Sequence, residues 1–341
     1  MRRFADSAVL PCAYPGLAGK GIYRQSEEDF VVSETGVEPS GEGEHLLLRL
    51  RKKGQNTRWV AKEIARQLHI PFRSVSYAGL KDRHAVTEQW FGVHLPGRTD
   101  AVAEGLSIEG VEIVRLGWHN KKLRQGQLSY NTFRIILRDC SFSSAELLEA
   151  RLQNIAECGV PNYFGPQRFG RGLSNLDISA NGPDLAALPR ERRSFVISAL
   201  RSALFNGYLS ARVADGSWAE ALPGEITISD RPRGLAEHDL SVFTPARLAT
   251  GLLWGGGAGF PANEVGEQER NYFGQFPAVC QLLEEAGAKS SRRVLKSRVA
   301  NMQWQHQDAV LELGFSLSPG NFATALLREV GDFQDLGGID A

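Results

Sequence analysis

Two segments of this sequence carry apolar residues at every second position, which is the pattern of a half-buried β-strand. The apolar positions are Phe133, Ile135 and Leu137 in the first segment, and Leu311, Leu313, Phe315 and Leu317 in the second. Successive side chains of a strand point to opposite faces, so each segment predicts a strand with one face in a core. Helix-like sequence separates the two segments. The simplest fold is therefore one in which a single sheet takes strands from distant parts of the chain.

The sequence between the two segments differs in its residue composition. Between about residues 157 and 305, stretches rich in glycine and proline surround helical runs at 194–209 and 278–286. The 341 residues also exceed the size at which one hydrophobic core usually stops growing. We therefore predict a mixed α/β fold with two domains: residues 1–156 and 306–341 form the first, and residues 157–305 form an inserted domain.

The first domain carries further strand and helix signals. Short apolar runs predict strands at residues 30–32, 45–50, 74–80 and 89–95. Residues 58–68 predict a helix that Asn56 or Thr57 can cap. The predicted apolar stripe of this helix consists of Trp59, Ile64 and Leu68.

The charge of the chain is balanced. Thirty-nine basic residues oppose thirty-nine acidic residues, so the formal net charge is zero at pH 7. This balance argues against a surface coated for general nucleic-acid binding. Three local clusters of basic residues lie at 49–53, 121–124 and 292–298. Each fits either a solvated charged face or part of an anion-binding groove, and the sequence leaves both interpretations open.

The cysteines and the first residues indicate an intracellular protein. Cys12, Cys140, Cys158 and Cys280 form no CxxC pair or Cys/His cluster of the kind that binds zinc, so we expect reduced, mostly buried thiols. The first residues lack the apolar core of a signal peptide, and no apolar stretch is long enough to span a membrane. We therefore expect a cytoplasmic protein that does not enter a membrane and acts as a monomer.

The stretch from Tyr77 to Thr87 contains the candidate catalytic residue, Asp82. Its carboxylate lies on a glycine-containing turn after an apolar segment, between Lys81 and Arg83 and next to His84 in the turn. These neighbours are expected to keep the carboxylate ionised near neutral pH and to attract a polyanionic substrate. Such a carboxylate can act as nucleophile or base, although an aspartate at a turn often only caps the chain.

The Asp82 loop is one of five motifs that occur in order along the chain. They lie at residues 28–34 (EDFVVSE), 79–87 (GLKDRHAVT), 131–133 (NTF), 159–170 (GVPNYFGPQRFG) and 319–329 (PGNFATALLRE). The series resembles the TruD family of tRNA pseudouridine synthases, and the resemblance covers nearly the whole chain. Its most specific parts are the second and fourth motifs.

The resemblance implies a fold, a reaction and a substrate. The fold is a pseudouridine synthase catalytic domain with a mixed, largely antiparallel sheet, interrupted by a family-specific α/β insertion domain. The reaction is the conversion of uridine to pseudouridine at position 13 in the D arm of tRNA, notably the glutamate tRNA. It involves base flipping and requires no cofactor or metal. The implied partner is tRNA, with no obligate protein partner.

The resemblance also assigns roles to four residues. Asp82 matches the family's catalytic aspartate. The resemblance leaves open whether the carboxylate attacks C1′, attacks the base or removes a ribose proton. Phe30 and Phe322 match aromatic positions that contact the substrate, and Asn131 can read the uracil edge with its amide. From the residues alone, the two phenylalanines also fit an apolar core and Asn131 also fits a turn.

Four basic residues are candidate RNA contacts. Arg24 precedes Phe30 at a place where related enzymes have a basic residue that orients the loop or contacts phosphate. Lys81 and Arg83 fit pairing with Asp82, contact with phosphates, or simple exposure to solvent. Arg168 lies in a motif that suits a domain junction and is the leading candidate there for a phosphate contact.

Two other functions fit the same residues. A glycosidase also places a carboxylate at an anomeric carbon, normally with a second carboxylate, for which Glu34 is the nearby candidate. A noncatalytic RNA-binding module would account for the aromatic, basic and amide residues without any chemistry. Substitution of Asp82 separates an enzyme from such a module.

Overall fold

The computed structural model describes residues 10–16, 18–97, 105–124, 127–170, 173–176, 185–229 and 246–337. The strands are β1 (Gly19–Tyr23), β2 (Phe30–Thr35), β3 (His45–Lys53), β4 (Val75–Tyr77), β5 (Val86–His94), β6 (Val111–His119), β7 (Tyr130–Phe142), β8 (Val160–Pro161), β9 (Thr227–Ser229), β10 (Arg247–Leu253), β11 (Ser291–Val294), β12 (Lys296–Ser297), β13 (Ala300–Gln307), β14 (Val310–Leu317) and β15 (Gly331–Asp335). The helices are α1 (Thr57–Gln67), α2 (Ala145–Cys158), α3 (Arg190–Ala214), α4 (Glu264–Phe273), α5 (Pro277–Glu285) and α6 (Ala323–Val330).

A sheet of ten strands forms the centre of the fold. Its main path has the order β13-β14-β7-β2-β5-β3-β6, while β1 pairs with β7 and β15, and β4 pairs with β5. The β2–β5 and β1–β15 pairs are parallel. The remaining pairs of this sheet are antiparallel. The predicted mixed α/β fold with a largely antiparallel sheet is therefore confirmed.

Strands β7 and β14 are the two segments with the strongest alternation. They pair directly, with Phe133 opposite Phe315 and Ile135 opposite Leu313. The alternating apolar side chains of both strands are buried. They pack against α2 and α6 through residues such as Leu152. Both predicted strands are confirmed, and their pairing joins distant parts of the chain in one sheet.

Helix α1 begins at one of the predicted caps. Asn56 Oδ1 accepts the backbone N–H of Arg58 at 2.8 Å. The helix buries Val60 and Ile64 in the core that it shares with β3 and β5. Trp59, however, is 37 % exposed, so its place in the predicted stripe is wrong. At 3.6 residues per turn, Trp59 lies about 140° around the helix from Ile64 and faces away from the core.

A second, smaller sheet lies between β8 and β12 in the sequence. Strand β10 pairs antiparallel with β9 and β11, and α3 packs against it through Phe205 and Tyr208. The helical runs predicted at 194–209 and 278–286 correspond to α3 and α5 and are confirmed. Strand β13 starts at Ala300 and belongs to the large sheet. The division into two domains stays a prediction, and we now place the end of the inserted part before Ala300.

Gly159 ends α2 in a conformation that disfavours a side chain. Its φ is 76° and its ψ is −161°. A Cβ at this position would lie 2.4 Å from the carbonyl oxygen of Ser297. We expect Gly159→Ala to lower the free energy of unfolding by about 2–3 kcal/mol in denaturant titrations.

The matched control is Gly257, which has the same φ of 76° and no atom within 4 Å of a built Cβ. Gly257→Ala is expected to lower the free energy of unfolding by only about 1 kcal/mol. Equal effects at the two positions would contradict the contact with Ser297 as the cause.

The cysteines are free thiols. Cys140 and Cys280 are buried and Cys12 is half-buried, whereas Cys158 is exposed and departs from the expected burial. Burial raises the pKa of Cys140 to about 11 and that of Cys280 to about 12, so both thiols stay protonated at neutral pH. Within the described ranges, no group of three His, Cys, Asp or Glu residues is arranged to hold a metal ion.

No helix among the residues that the structure describes is both long enough and apolar enough to cross a membrane.

Candidate active site

The Asp82 loop connects β4 to β5 near the middle of the large sheet. On one side of it, α1 covers β3 and β5, and on the other, α2 and α6 cover β7 and β14. The side chain of Asp82 is 41 % exposed. The candidate carboxylate is therefore accessible between two helix-covered parts of the sheet.

Arg24 is the cation that contacts the Asp82 carboxylate. Arg24 Nη2 lies 3.3 Å from Asp82 Oδ2, and Arg24 Nη1 lies 3.5 Å from Asp335 Oδ2. The Arg24 side chain is buried, and its backbone is left-handed with a φ of 59°. Of the two roles predicted for Arg24, this geometry fits orientation of the Asp82 loop.

Phe30 lies under the same arginine. The Arg24 guanidinium carbon is 4.3 Å from the centre of the Phe30 ring, within the range of a cation–π contact. The ring also packs edge-on against Phe133, with 6.2 Å between centroids. Because Phe30 is only 2 % exposed, it is a core residue in this structure and at the same time a support for Arg24.

Lys81 pairs with Glu34 and not with Asp82, which corrects the expected role of this neighbour. Its Nζ lies 2.6 Å from Glu34 Oε1, and the Glu34 side chain is fully buried. The backbone N–H of Trp90 donates to the other oxygen at 3.2 Å. Burial raises the pKa of Glu34, and the charge of Lys81 opposes this shift. Glu34 therefore has no exposed oxygen with which to activate water as the second carboxylate of a glycosidase.

Arg83 bonds to a group other than Asp82, and His84 lies near Gly337. Arg83 is exposed, and its Nε donates to the carbonyl oxygen of Gly54 at 3.2 Å. The Cβ of His84 and the side chain of Arg24 both lie next to Gly337. Pairing of Lys81 or Arg83 with Asp82, one of the predicted roles of these residues, is therefore wrong, and Arg24 is the cation that contacts the carboxylate.

Asn131 lies beside Glu34, the partner of Lys81, in the large sheet. In β7 it is the register partner of Glu34 on one side and of Leu317 on the other. Its side chain is buried, and its Oδ1 has no hydrogen-bond partner in the described part of the chain. Asn131 is therefore in a strand and not in the turn that its sequence also allowed. The structure brings Arg24, Phe30, Lys81, Asp82 and Asn131 into one neighbourhood.

Phe322 and Arg168 belong to a second group, centred on Phe164. The Phe322 and Phe164 rings are 6.0 Å apart. The guanidinium carbons of Arg168 and Arg293 lie 5.1 Å and 4.1 Å from the centre of the Phe164 ring. Burial, and then the charge of Arg168, lower the pKa of Arg293 to about 9.

Arg293 connects this group to the turn before α6. Its Nη2 donates to the carbonyl oxygen of Gly320 at 3.0 Å, two positions before Phe322. The side-chain oxygen of Asn162 accepts another short hydrogen bond from the same nitrogen. Arg293 was assigned only to a basic cluster by the sequence, whereas the structure makes it a link between β11 and the Phe322 turn.

Two of the three basic clusters are largely engaged inside the protein. In the first, Lys52 is fully buried and Arg49 pairs with Glu88 at 3.0 Å. In the third, Arg292 pairs with the buried carboxylate of Glu269. For these residues the interpretation as an anion-binding groove is wrong, because their charges are already compensated or buried.

The family follows from a comparison with known proteins. The family model described as tRNA pseudouridine synthase D (TruD) matches residues 14–178 and 181–330. The chain belongs to the TruD family. This membership confirms the predicted enzyme class, a tRNA pseudouridine synthase, and sets aside the noncatalytic RNA-binding module.

Relatives in the TruD family cover almost the whole chain. The tRNA pseudouridine synthase D of Xanthomonas axonopodis pv. citri (strain 306) is 40 % identical over 98 % of this chain and 97 % of its own length. That of Aeromonas hydrophila subsp. hydrophila is 41 % identical over 91 % of this chain and 90 % of its own length. Neither similarity is confined to one part of the fold.

A solved structure supports the same architecture. The crystal structure assigned to tRNA pseudouridine synthase D (TruD) of Methanosarcina mazei superposes with a TM-score of 0.70 at 20 % sequence identity. The match covers 96 % of this chain and 97 % of that chain. At this identity the similarity shows a shared fold, in agreement with the mixed α/β fold predicted from the sequence.

Proposed function

We propose that this chain converts uridine 13 in the D arm of tRNA, in particular of a glutamate tRNA, to pseudouridine, with Asp82 as the catalytic carboxylate. The observation that carries the proposal is the accessible carboxylate of Asp82, which Arg24 contacts beside Phe30. The same proposal makes the chain a monomer that acts on tRNA in the cytoplasm without a cofactor.

The reaction needs few catalytic groups. The bond between ribose C1′ and uracil N1 breaks, the base rotates, and a bond between C1′ and C5 forms. C5 loses a proton and N1 gains one, so no atom is gained or lost overall. Such an isomerisation requires a carboxylate next to the sugar and base, and a pocket that retains the detached uracil. Asp82 can supply the carboxylate once the nucleotide has left the base stack. Attack at C1′, attack on the base and removal of a ribose proton all fit this position.

Asn131 is proposed to bind the uracil edge. Its buried Oδ1 can accept a hydrogen bond from the imide N–H of uracil, and its amide N–H can donate to a uracil carbonyl. A buried polar group without a partner costs about 1–3 kcal/mol. Binding of the base would satisfy this group, which favours uracil over an apolar ligand.

Phe30 and Phe322 are proposed to contact the flipped base. Stacking on one aromatic ring contributes about 1–3 kcal/mol per base. Since Phe30 is 2 % exposed and lies under Arg24, stacking on it requires the guanidinium to move aside. Phe322 follows the end of β14, whose Leu317 is the register partner of Asn131. Because Phe322 lies only five positions after Leu317, this pairing supports a position for Phe322 beside the base that Asn131 is proposed to bind.

Arg168 is proposed as the phosphate contact among the four candidate RNA contacts. Arg24, Lys81 and Arg83 already bond to groups of the protein. Arg168 is exposed, and within the described residues its guanidinium has only the ring contact with Phe164. The nearby charge of Arg293 adds to the positive potential there. An RNA phosphate would offset the repulsion between the two guanidinium groups.

Arg168→Gln is expected to weaken tRNA binding in a salt-dependent way. Loss of one phosphate contact reduces the slope of log affinity against log salt concentration by about 0.7 to 0.9. The measurement is tRNA binding by fluorescence anisotropy between low and moderate salt. Arg134→Gln is the matched control, because Arg134 is also exposed but already pairs with Glu312. Identical slopes for the native protein and Arg168→Gln would contradict the contact.

The experiment that tests the proposed function uses an unmodified glutamate tRNA transcript and purified protein. Pseudouridine is mapped by position after incubation without added metal or cofactor. A transcript with cytidine at position 13 is the control for site specificity.

A further inference from the structure

Three buried polar side chains hold the backbone of the Asp82 loop. Lys52 Nζ donates to the carbonyl oxygen of Asp82 at 3.0 Å. Thr57 Oγ1 accepts the backbone N–H of Lys81 at 3.1 Å. Gln89 Nε2 donates to the carbonyl oxygen of Gly79 at 3.0 Å. We call Lys52, Thr57 and Gln89 the loop clamp.

The members of the loop clamp come from three different elements. Lys52 lies in β3, Thr57 begins α1, and Gln89 lies in β5. Thr57 and Gln89 also bond to each other, with 2.8 Å between Oγ1 and Oε1. The backbone conformation around Asp82 is therefore fixed by the packing of the sheet and α1 and not by the loop sequence alone.

Lys52 is a charged residue at a position of β3 where the pattern of the strand predicts an apolar one. It is 0 % exposed and continues the positions of Leu46, Leu48 and Leu50, whose side chains share one face of β3. Lysine is almost never fully buried unless its ammonium is paired or hydrogen-bonded. The only hydrogen bonds of Nζ to described residues run to the carbonyl oxygens of Gln55, at 2.7 Å, and Asp82. A leucine would continue this face without the desolvation of an ammonium group.

We propose that Lys52 is a positioning residue of the active site, whose ammonium group fixes the Asp82 carbonyl and thereby sets the direction of the Asp82 carboxylate. This inference rests on the proposed catalytic role of Asp82. It goes beyond that role because Lys52 Nζ donates to the backbone carbonyl of Asp82 and not to its carboxylate. Its effect is on the geometry of the catalytic group, to which turnover is sensitive at the level of about 1 Å.

The surroundings of Lys52 make its charge dependent on pH. The charged groups that face it are Asp82 and Lys81 of the loop and Glu34 of β2. Burial is the main cause that lowers the pKa of Lys52 to about 8, while Asp82 and Glu34 oppose the shift. Below this pH the ammonium carries three donors and a charge. Above it the neutral amine donates more weakly to the two carbonyl groups.

Lys52→Met tests the proposal directly. We expect kcat for pseudouridine formation at pH 7 to fall about 10- to 100-fold, with the KM for tRNA within about twofold of the native value. Lys52→Arg keeps a charged donor and is expected to recover part of kcat. Lys62→Met is the control, because Lys62 is an exposed lysine on α1. Native kcat in folded Lys52→Met would overturn the proposal.

The pH profile separates positioning by the ammonium from a merely structural role. The native advantage in kcat over Lys52→Met is expected to shrink as the pH rises through about 8, because the native lysine loses its charge there. A ratio that stays constant from pH 6.5 to 9.5 would overturn the assignment. If Lys52→Met does not fold, the native to Lys52→Arg ratio is measured over the same range. An arginine keeps its charge above pH 8, so this ratio must also fall.

Failure of this inference is distinguishable from failure of the proposed function. Native protein that forms no pseudouridine in tRNA contradicts the proposed function. Active native protein together with an equally active, folded Lys52→Met contradicts only the role of Lys52.

Discussion

Asp82→Ala is expected to reduce pseudouridine formation in tRNA by about 10⁴-fold or more, as removal of a central catalytic group does in other enzymes. The reason is that the variant removes the carboxylate that the proposed reaction uses, and the nearby Glu34 cannot replace it because its side chain is buried against Lys81. Binding of tRNA is expected to stay within about threefold of the native affinity, because phosphate contacts dominate affinity. Single-turnover conversion and anisotropy binding measure the two effects separately.

Asp335→Ala is the matched control for Asp82→Ala. Asp335 is the other carboxylate that contacts Arg24, at 3.5 Å, and it is also partly exposed. Its removal changes the local charge by the same amount but leaves the candidate catalytic group in place. We expect activity within about fivefold of native. Native activity in Asp82→Ala, or equal losses in both variants, would contradict the catalytic role of Asp82.

Arg24→Met is expected to lower kcat by about 10²-fold, the second largest effect that the site predicts. The guanidinium contacts the Asp82 carboxylate with one nitrogen and Asp335 with the other, so its loss frees the orientation of both groups. Arg24→Lys is expected to lose about tenfold, because an ammonium group is a point charge that cannot bridge two carboxylates. Turnover under saturating tRNA gives these values.

Arg134→Met is the control for Arg24→Met. Arg134 also forms an ion pair with a carboxylate, that of Glu312, but it lies on the exposed side of β7. Its activity is expected to match the native protein. The role of Arg24 would be refuted if Arg24→Met kept native kcat, or if its loss appeared only as a lower melting temperature.

The elements with strong periodicity could be predicted from the sequence. Strands β7 and β14 are indicated by apolar residues at every second position. In these segments burial repeats with the period of the element, so the sequence reports it directly. Trp59 shows the limit of this reasoning, because it is an apolar residue on the exposed face of α1.

The partners of Asp82 could not be predicted in the same way. Arg24 lies 58 positions away in the sequence, and strand pairing brings the two side chains together. The local neighbours Lys81 and Arg83 were the obvious cations, yet the direction of each side chain is set by the sheet and the loop clamp. Sequence spacing carries no information about such contacts.

The sequence contains a signal for the buried position of Lys52. Lys52 continues the alternation of Leu46, Leu48 and Leu50 in β3, which places it on the buried face of the sheet. Its place in a run of basic residues indicated a surface cluster instead. A charged residue at an apolar position of a strand is therefore worth testing as a functional residue before it is assigned to the surface.

The most direct test of the central claim is the conversion of uridine 13 in an unmodified glutamate tRNA transcript by native protein and by Asp82→Ala. We predict pseudouridine at position 13 with the native protein and none with the variant, while both bind the transcript. Binding without conversion by the folded native protein, or conversion by Asp82→Ala, would contradict the account.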